Sequence, residues 1–245
     1  MEETTIRECT TIEEFDGCVA LQREAFGLPD LELSPRRHLI VSRQAGGWTL
    51  GAFVADRMVG FVHHLAAVRG SDIFGYSHVM AVAKDYQNKG VGARLKWAQR
   101  EKALGEGRKL IKWTWDPMLA RNAHFNLNRL GATVDSYLDD FYGVDYGADE
   151  RLGVPSDRLS ATWQIDSARV HELANGSEVT FAGKRAGTIA VPSDWNSFLK
   201  HDAARARDEQ ARVREEFKKA FSEKLVCAGF ERGEGSSRYV LFEVS

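Results

Sequence analysis

The sequence predicts an α/β protein built on a mixed, mostly antiparallel sheet flanked by helices. Three observations carry this. Over residues 4–166, apolar runs with strand-like alternation interleave with segments of helical period. Two of those strands meet at a short turn, Asp56-Arg57, and so form a hairpin. A glycine-bearing loop, Gln87-Asn88-Lys89-Gly90-Val91-Gly92, then joins an apolar strand to a helix-like run.

Residues 4–9 read as a first strand. Thr11-Ile12-Glu13-Glu14 has the form of a capping box that opens a helix to about residue 26. Phe15, Val19, Ala20 and Phe26 recur near helical spacing, and Gly27-Leu28-Pro29 breaks the run. A second helix is expected over 35–45, stopped by Gly46-Gly47. Strands follow over 48–55, 58–68 and 74–84, the last two joined at Gly70-Ser71-Asp72. The helix after the glycine loop runs to about 104, and a strand over 109–115 closes at Asp116-Pro117. A helix over 119–130 has Gly131 as its C-terminal stop, and strands over 132–138 and 159–165 complete this part.

After Ser167 the pattern changes. Short strands are expected over 179–181 and 188–191, and a final strand over 238–244. Between them lies a helical segment, 196–228, striped by Leu199, Ala203, Ala206, Val213, Phe217 and Ala220. It is long for a globular helix, so a break within it is expected. The chain therefore divides into a domain over 4–166 and a C-terminal α/β extension over 167–245.

Composition narrows the function. The 245 residues are 43% hydrophobic, enough for a sizeable core. Lys and Arg number 33 and Asp and Glu 35, a balance that argues against a dedicated nucleic-acid binder. No apolar run is long enough for a membrane span, and the first residues lack the charged-then-apolar form of a signal peptide, so a cytoplasmic protein is expected. Cys9, Cys18 and Cys227 are scattered with neither metal-ligand spacing nor a disulfide framework. They read as idle thiols, and no metal is expected.

Strand, glycine loop and helix together cradle an anion, because the glycines let backbone amides converge and the helix N-terminus adds partial positive charge. A dinucleotide fold would want a third glycine where Leu95 stands, and a P-loop would want Gly-Lys-Ser/Thr at the helix entry. What remains is Gln-x-x-Gly-x-Gly entered from an antiparallel strand.

That pattern, with Met80-Ala81-Val82 before it and Asn122-Ala123 through Leu130-Gly131-Ala132 after it, resembles the GNAT superfamily of acyl-CoA-dependent N-acyltransferases over residues 4–166. The resemblance implies acetyl-CoA or another acyl-CoA as cofactor. It implies that the amides of Gln87, Asn88, Lys89, Gly90, Val91, Gly92 and Ala93 hold the pyrophosphate, with Lys89 and Arg94 meeting its charge. The amides of Met80 and Val82 would pair with the pantetheine as an added strand. Asn122 and Asn126, one helical turn apart, would hydrogen-bond the pantetheine or a water.

Amine acylation needs a base for the amine proton, a donor for the carbonyl oxygen and an acid, or water, for the leaving thiolate. Alternation along the strand puts Tyr76, His78, Met80 and Val82 on one face. His78 is the candidate base with Tyr76 beside it; a strand histidine that merely packs is the alternative. His63 and His64 point to opposite faces of the neighbouring strand, so at most one reaches the site. Many family members place a tyrosine four residues before the glycine matching Gly131, as the acid. Here that residue is Leu127, which leaves water, Tyr137 or Tyr142. Residues 135–150 hold six acids and no base, with Tyr137, Phe141, Tyr142 and Tyr146 among them. Either Asp139 and Asp140 attract a cationic amine there, or the stretch is a solvated loop.

The expected reaction moves an acetyl or other short acyl group from coenzyme A to a primary amine of a small molecule by direct attack. The alternative is an acyl-CoA-binding sensor or interaction module without turnover. No nucleic-acid or membrane partner is expected, and the extension either caps the acceptor site or forms an interface of a homo-oligomer.

Overall fold

The computed structural model describes residues 3–144 and 153–244. Two compact units divide the chain, Met1–Lys112 and Trp113–Ser245.

The first unit contains β1 (Thr4–Glu8), α1 (Ile12–Phe26), α2 (Arg36–Gln44), β2 (Trp48–Val54), β3 (Arg57–Arg69), β4 (Asp72–Val82), α3 (Val91–Gly105) and the start of β5 (Leu110–Trp115). Its strands lie in the order β1-β2-β3-β4-β5, antiparallel except for the last pair. The capping box forms as expected: Thr11 Oγ1 accepts from Glu14 N, and Glu14 Oε2 accepts from Thr11 N. Gly27 ends α1 in the left-handed region at φ 65°. The first hairpin turns one residue earlier than expected, at Ala55-Asp56, because Val54 pairs with Arg57. Ala55 takes a φ of 49° to make that tight turn.

Helices α1 and α2 cover one face of this sheet. Phe15, Cys18, Leu21 and Leu39 pack there against Cys9, Phe53, Phe61 and Ala81. Helix α3 covers the other face so closely that a Cβ at Gly60 would lie 3.2 Å from Leu95 and Val91 side chains. Cys9, Cys18 and Cys227 are buried and free, matching the reading of idle thiols.

Strand β4 contains a bulge that overturns one expectation. Val79 to Val82 pair with His63 to Gly60, but Ser77 pairs with His64, so His78 has no opposite residue on β3. Such an insertion shifts the alternation of the strand by one. Ser77 faces α3, where Lys96 reaches it, and so do Met80 and Val82, which lie against Gly92. His78 and Val79 both face α1 and α2, as does Tyr76 by alternation from Ser77. Tyr76 and His78 therefore share a face, whereas Met80 and Val82 lie on the opposite one.

The second unit carries β6 (Thr133–Leu138), β7 (Arg158–Gln164), β8 (Lys184–Pro192), β9 (Val226–Glu231) and β10 (Ser236–Glu243), in the order β7-β6-β9-β10-β8. Its helices are α4 (Ala120–His124), α5 (Ala168–Ala174), α6 (Trp195–His201) and α7 (Ala203–Ser222). The expected strand over 179–181 does not form. Instead α5 occupies the start of this region, capped by Ser167 Oγ, which accepts from Val170 N. The long helical segment breaks at Asp202 (φ −151°, ψ 73°), whose carboxylate caps α7 through Arg205 N. That segment ends at Ser222, and residues expected to continue it to 228 instead open β9.

Helix α4 passes into a π turn over Phe125–Arg129, in which Leu130 N bonds Phe125 O at 3.0 Å. The wider turn rotates side chains relative to a regular helix, so Asn122 is exposed while Asn126 is buried; they do not share a face. The carbonyls that the turn leaves unpaired are met by side chains. Arg169 donates to Leu127 O at 3.0 Å and to Gly131 O at 3.3 Å, and also to Ala228 O at 3.0 Å in β9. Trp163 Nε1 donates to Leu130 O at 2.7 Å. Burial pushes the Arg169 guanidinium below its ordinary value, yet these carbonyls are its compensation. Arg169→Met should lower the unfolding free energy by about 2–3 kcal/mol, since three buried carbonyls lose their donor. Urea denaturation measures this.

Candidate active site

Residues of the first unit build the site from two adjoining parts. The first is the loop between β4 and α3. Gln87 Nε2 folds back to Val82 O at 3.2 Å, and Lys84 N bonds Glu24 Oε1 at 2.6 Å, so both ends of the loop approach are anchored. Gly90 sits at φ 82°, a conformation that favours glycine, and a Cβ there would meet nothing within 4 Å. No side chain caps α3, and the first amide to bond within the helix is Arg94 N, to Gly90 O at 3.1 Å. The amides of Val91, Gly92 and Ala93 thus have no acceptor within the helix, as at any helix N-terminus, and no side chain caps them. That is an anion-holding geometry, and it fits a pyrophosphate. Lys89 and Arg94 are placed differently from each other. Lys89 Nζ lies 5.2 Å from the Tyr86 ring, beside the loop. The Arg94 guanidinium donates to Thr4 O and is drawn toward β1.

The edge of β4 suits an extended ligand. Strand β5 pairs with β4 only at Gly75–Ile111 and Tyr76–Lys112. Beyond Tyr76, β3 occupies one side of β4, and Ala83 N bonds Val59 O on that side at 2.9 Å. Alternation then turns the amides of Met80 and Val82 to the edge that β3 does not occupy. The bulge moves their side chains and leaves these two amides on the edge away from β3.

The second part is the face of α1 and α2, where the bulge delivers His78. Its Nε2 lies 2.8 Å from Ser34 Oγ. Two further imidazoles wall the ring: the centroids of His38 and His63 lie 5.2 and 6.0 Å away, and 5.4 Å from each other. His63 spends both nitrogens, on Thr49 Oγ1 at 2.8 Å and Ser42 Oγ at 3.1 Å. Ser42 gives its one proton to Leu39 O, so His63 Nε2 carries the hydrogen. Among the described residues no group of three His, Cys, Asp or Glu is arranged to hold a metal ion. His78 itself is exposed. Its pKa is lowered, first by the protein packed around the ring and then by the His38 charge, which suits a base working near neutral pH.

Behind β4, on the α3 face, lies a buried polar row that sequence reading did not single out. Lys96 Nζ donates to Ser77 Oγ at 3.0 Å and to Gln99 Oε1 at 2.8 Å. Gln99 Nε2 in turn meets His64 Nδ1 at 3.3 Å, and the His64 ring stacks on Trp48 at 4.1 Å. Gly75 is required beneath it, since a Cβ there would sit 2.1 Å from His64 Cε1. The sequence signal available was spacing: Lys96 and Gln99 are three apart on one helical face, opposite His64.

Burial favours the neutral form of each of these bases. Burial, and then the charges of His78 and His38, push His63 down to about 3. Burial, and then Arg108, Lys96 and other cations, do the same to His64. Burial pushes Lys96 down to about 7. In each case the unfolded chain binds the proton at a higher pH than the folded one. The histidine contribution is whole above 6.5 and is lost as pH falls toward 3. The Lys96 contribution returns as pH rises from 7 toward 10.5.

The second unit holds the other candidates. Tyr137 O–H donates to the buried Asp157 carboxylate at 2.7 Å, and burial with that negative neighbour raises its pKa far above the ordinary phenol value. Tyr137 is thus no proton donor to a thiolate. Asp157 also holds the Arg214 fork at 2.8 and 2.8 Å. Asp139 pairs with Lys218, and Asp140 Oδ1 accepts from Ser156 N at 3.0 Å. Both acids are engaged internally, which counts against their drawing in a cationic amine. Tyr146 lies outside the described residues. Leu127 is fully buried, a packing role.

This geometry suits one class: a protein that takes an anionic cofactor at a helix N-terminus beside an open strand edge, with an imidazole on the same strand. Residues 15–127 match the sequence model of the acetyltransferase (GNAT) family. The match makes residues 15–127 a GNAT acetyltransferase domain, of the family whose reaction is acyl transfer from coenzyme A with acetyl-CoA as cofactor. No curated protein matches it in sequence. Among solved structures it is similar to the ribosomal-protein-S18-alanine N-acetyltransferase of Escherichia coli, at 14% identity and a TM-score of 0.55, covering 68% of this chain and 96% of that one. A GNAT-family acetyltransferase from Streptococcus pneumoniae is similar at 19% identity and a TM-score of 0.51, over 65% of this chain and 98% of that one. Another, from Elizabethkingia anophelis with acetyl-CoA bound, is similar at 17% identity and a TM-score of 0.50, over 67% and 99%. At these identities the likeness is one of fold.

Two outcomes follow from the geometry. The unfolding free energy should rise between about pH 7.5 and 9.5 more steeply in the wild type than in Lys96→Met, by up to about 1.4 kcal/mol per pH unit; urea denaturation across that range reads the slope. Gly90→Ala should weaken acetyl-CoA binding about five- to tenfold, because a side chain strains the positive φ by roughly 1 kcal/mol; calorimetric titration measures it.

Proposed function

We propose that the protein transfers an acetyl group from acetyl-CoA to a primary amine of a small molecule by direct attack. In this reading the domain over 4–166 carries the reaction, and the extension over 167–245 shapes the acceptor side or a subunit interface. The amides from Gln87 to Ala93 hold the pyrophosphate, with Lys89 beside it, and those of Met80 and Val82 pair with the pantetheine. Arg94 serves the fold through Thr4 rather than the phosphates. Asn122 keeps an exposed amide, whereas that of Asn126 is enclosed.

The observation that carries the reading is His78 on the β4 bulge. The bulge sets an exposed imidazole on the strand whose free edge and terminal loop suit the cofactor. Bound acetyl-CoA supplies an activated thioester carbonyl. His78 takes the proton from the attacking amine, and its lowered pKa keeps it deprotonated near neutrality. Tyr76 shares the His78 face and borders the reacting amine. The leaving thiolate needs no tyrosine: an ordinary thiol has a pKa of about 8.5, so water protonates it. A small acceptor agrees with the balanced charge of the chain, which offers no excess of either sign for a polymeric partner.

Thiol release from acetyl-CoA against a panel of primary amines tests this. Turnover should appear with at least one amine. His78→Gln should then lower kcat by about 10²–10³-fold and remove the acidic limb of the pH profile, with little change in the KM for acetyl-CoA. A His78→Gln enzyme with the full rate and the same profile would refute the base assignment. Binding of acetyl-CoA without thiol release above background would favour the sensor alternative.

A further inference from the structure

Resting on His78 as the base, the geometry points to Ser34 as its positioning residue: the Ser34 hydroxyl accepts the Nε2–H of His78 and leaves Nδ1 to take the amine proton.

Four observations converge. Ser34 lies in the connection between α1 and α2, yet its backbone is fixed. The side-chain amide of Gln22, buried at 2% exposure, holds both sides of it: Oε1 accepts from Ser34 N at 2.9 Å and Nε2 donates to Ser34 O at 3.1 Å. A buried amide clamping one loop residue at both its donor and its acceptor leaves the side chain little freedom. The clamped hydroxyl is aimed at His78 Nε2 at 2.8 Å and bonds no other described residue. His78 Nδ1 has no protein hydrogen-bond partner among the described residues. The titratable groups that face His78, His38 on α2 and His63 on β3, contact it through ring packing and supply no hydrogen bond. Ser34 is therefore the one described group that hydrogen-bonds the ring, and since its hydroxyl can accept or donate, acceptance is the arrangement that leaves Nδ1 free as the base. If Ser34 donated instead, the proton would sit on Nδ1, and neither nitrogen would be free to act without breaking the bond. A hydroxyl acceptor also stabilises the imidazolium formed when the amine proton arrives.

The sign of the His78 titration decides this. In the full chain labelled with ¹⁵N-histidine, the imidazole is titrated by NMR in wild type, Ser34→Ala and Ser34→Thr. Losing an acceptor removes more from the charged ring than from the neutral one, so Ser34→Ala should lower the His78 pKa by about half a pH unit to one, and Ser34→Thr should restore it. Both variants keep the backbone groups that Gln22 clamps, so folding is preserved. With the best amine of the panel, Ser34→Ala should lower kcat about tenfold with the KM for acetyl-CoA unchanged, and move the acidic limb to lower pH. An unchanged or raised pKa in Ser34→Ala, or no recovery in Ser34→Thr, overturns the inference while leaving the base assignment intact. Full turnover in His78→Gln overturns the positioning role together with the base, and the NMR titration still reports the hydrogen bond separately.

Discussion

Between Ser77 and Val79, β4 carries a residue that β3 does not match, and the two halves of the strand face opposite ways as a result. The first-unit site depends on that insertion. Without it, a single alternation would run through the strand, and an imidazole on the α1 and α2 face would mean Met80 and Val82 crowding the same face. With it, the aliphatic side chains settle against α3, His78 meets Ser34, and the backbone edge toward the glycine loop stays straight enough to pair. A bulge re-aims one side chain at the cost of one ladder pairing. Here the side chain re-aimed is the titratable one.

The two units handle buried polar groups by different means. In the second unit Asp157 is charged and buried, and the Arg214 fork, Tyr137 and the Asp140 amide satisfy it. In the first unit three buried groups are bases whose neutral forms burial favours: His63 with two hydroxyls, and His64 and Lys96 around Gln99. A paired charge anchors whatever the pH over the neutral range. A neutral amine or imidazole hydrogen-bonds both as donor and as acceptor, which lets such rows thread through a sheet with few charges. It also ties the rigidity of the first unit to solution pH.

Much of the first unit was legible in the sequence. Thr11 and Glu14 announced the cap of α1, Gly46-Gly47 the end of α2, and the Gln87–Gly92 loop the kind of ligand held, because caps and glycine turns are local and their chemistry is written in adjacent residues. The bulge was not legible. One strand's sequence says nothing about how many residues its neighbour offers in reply, so regular alternation through His78 is all that the sequence alone predicts. The same limit hid Ser34 and Gln22, which matter only because a loop between two helices folds over a strand forty-four residues away. In the second unit, helix propensity from Asn196 onward ran past the true end at Ser222, since Val226-Cys227-Ala228 pair in a sheet whose partners lie elsewhere in the chain. Ser167 was a readable cap for α5 that propensity for Val179 to Phe181 obscured.

The insertion at His78 also constrains how the chain assembles. A hairpin zipping from its turn at Gly70-Ser71 pairs Arg69 with Asp72 and stays in step only as far as His64 and Ser77. Continuing in step would be locally the more regular path, yet it would turn Val79 and Ala81 away from Phe15, Cys18 and Phe61. The remaining half of the strand can lock only once those apolar partners are present to select the shifted register. Tertiary packing, rather than growth of the hairpin from its turn, therefore selects the register of its last pairs.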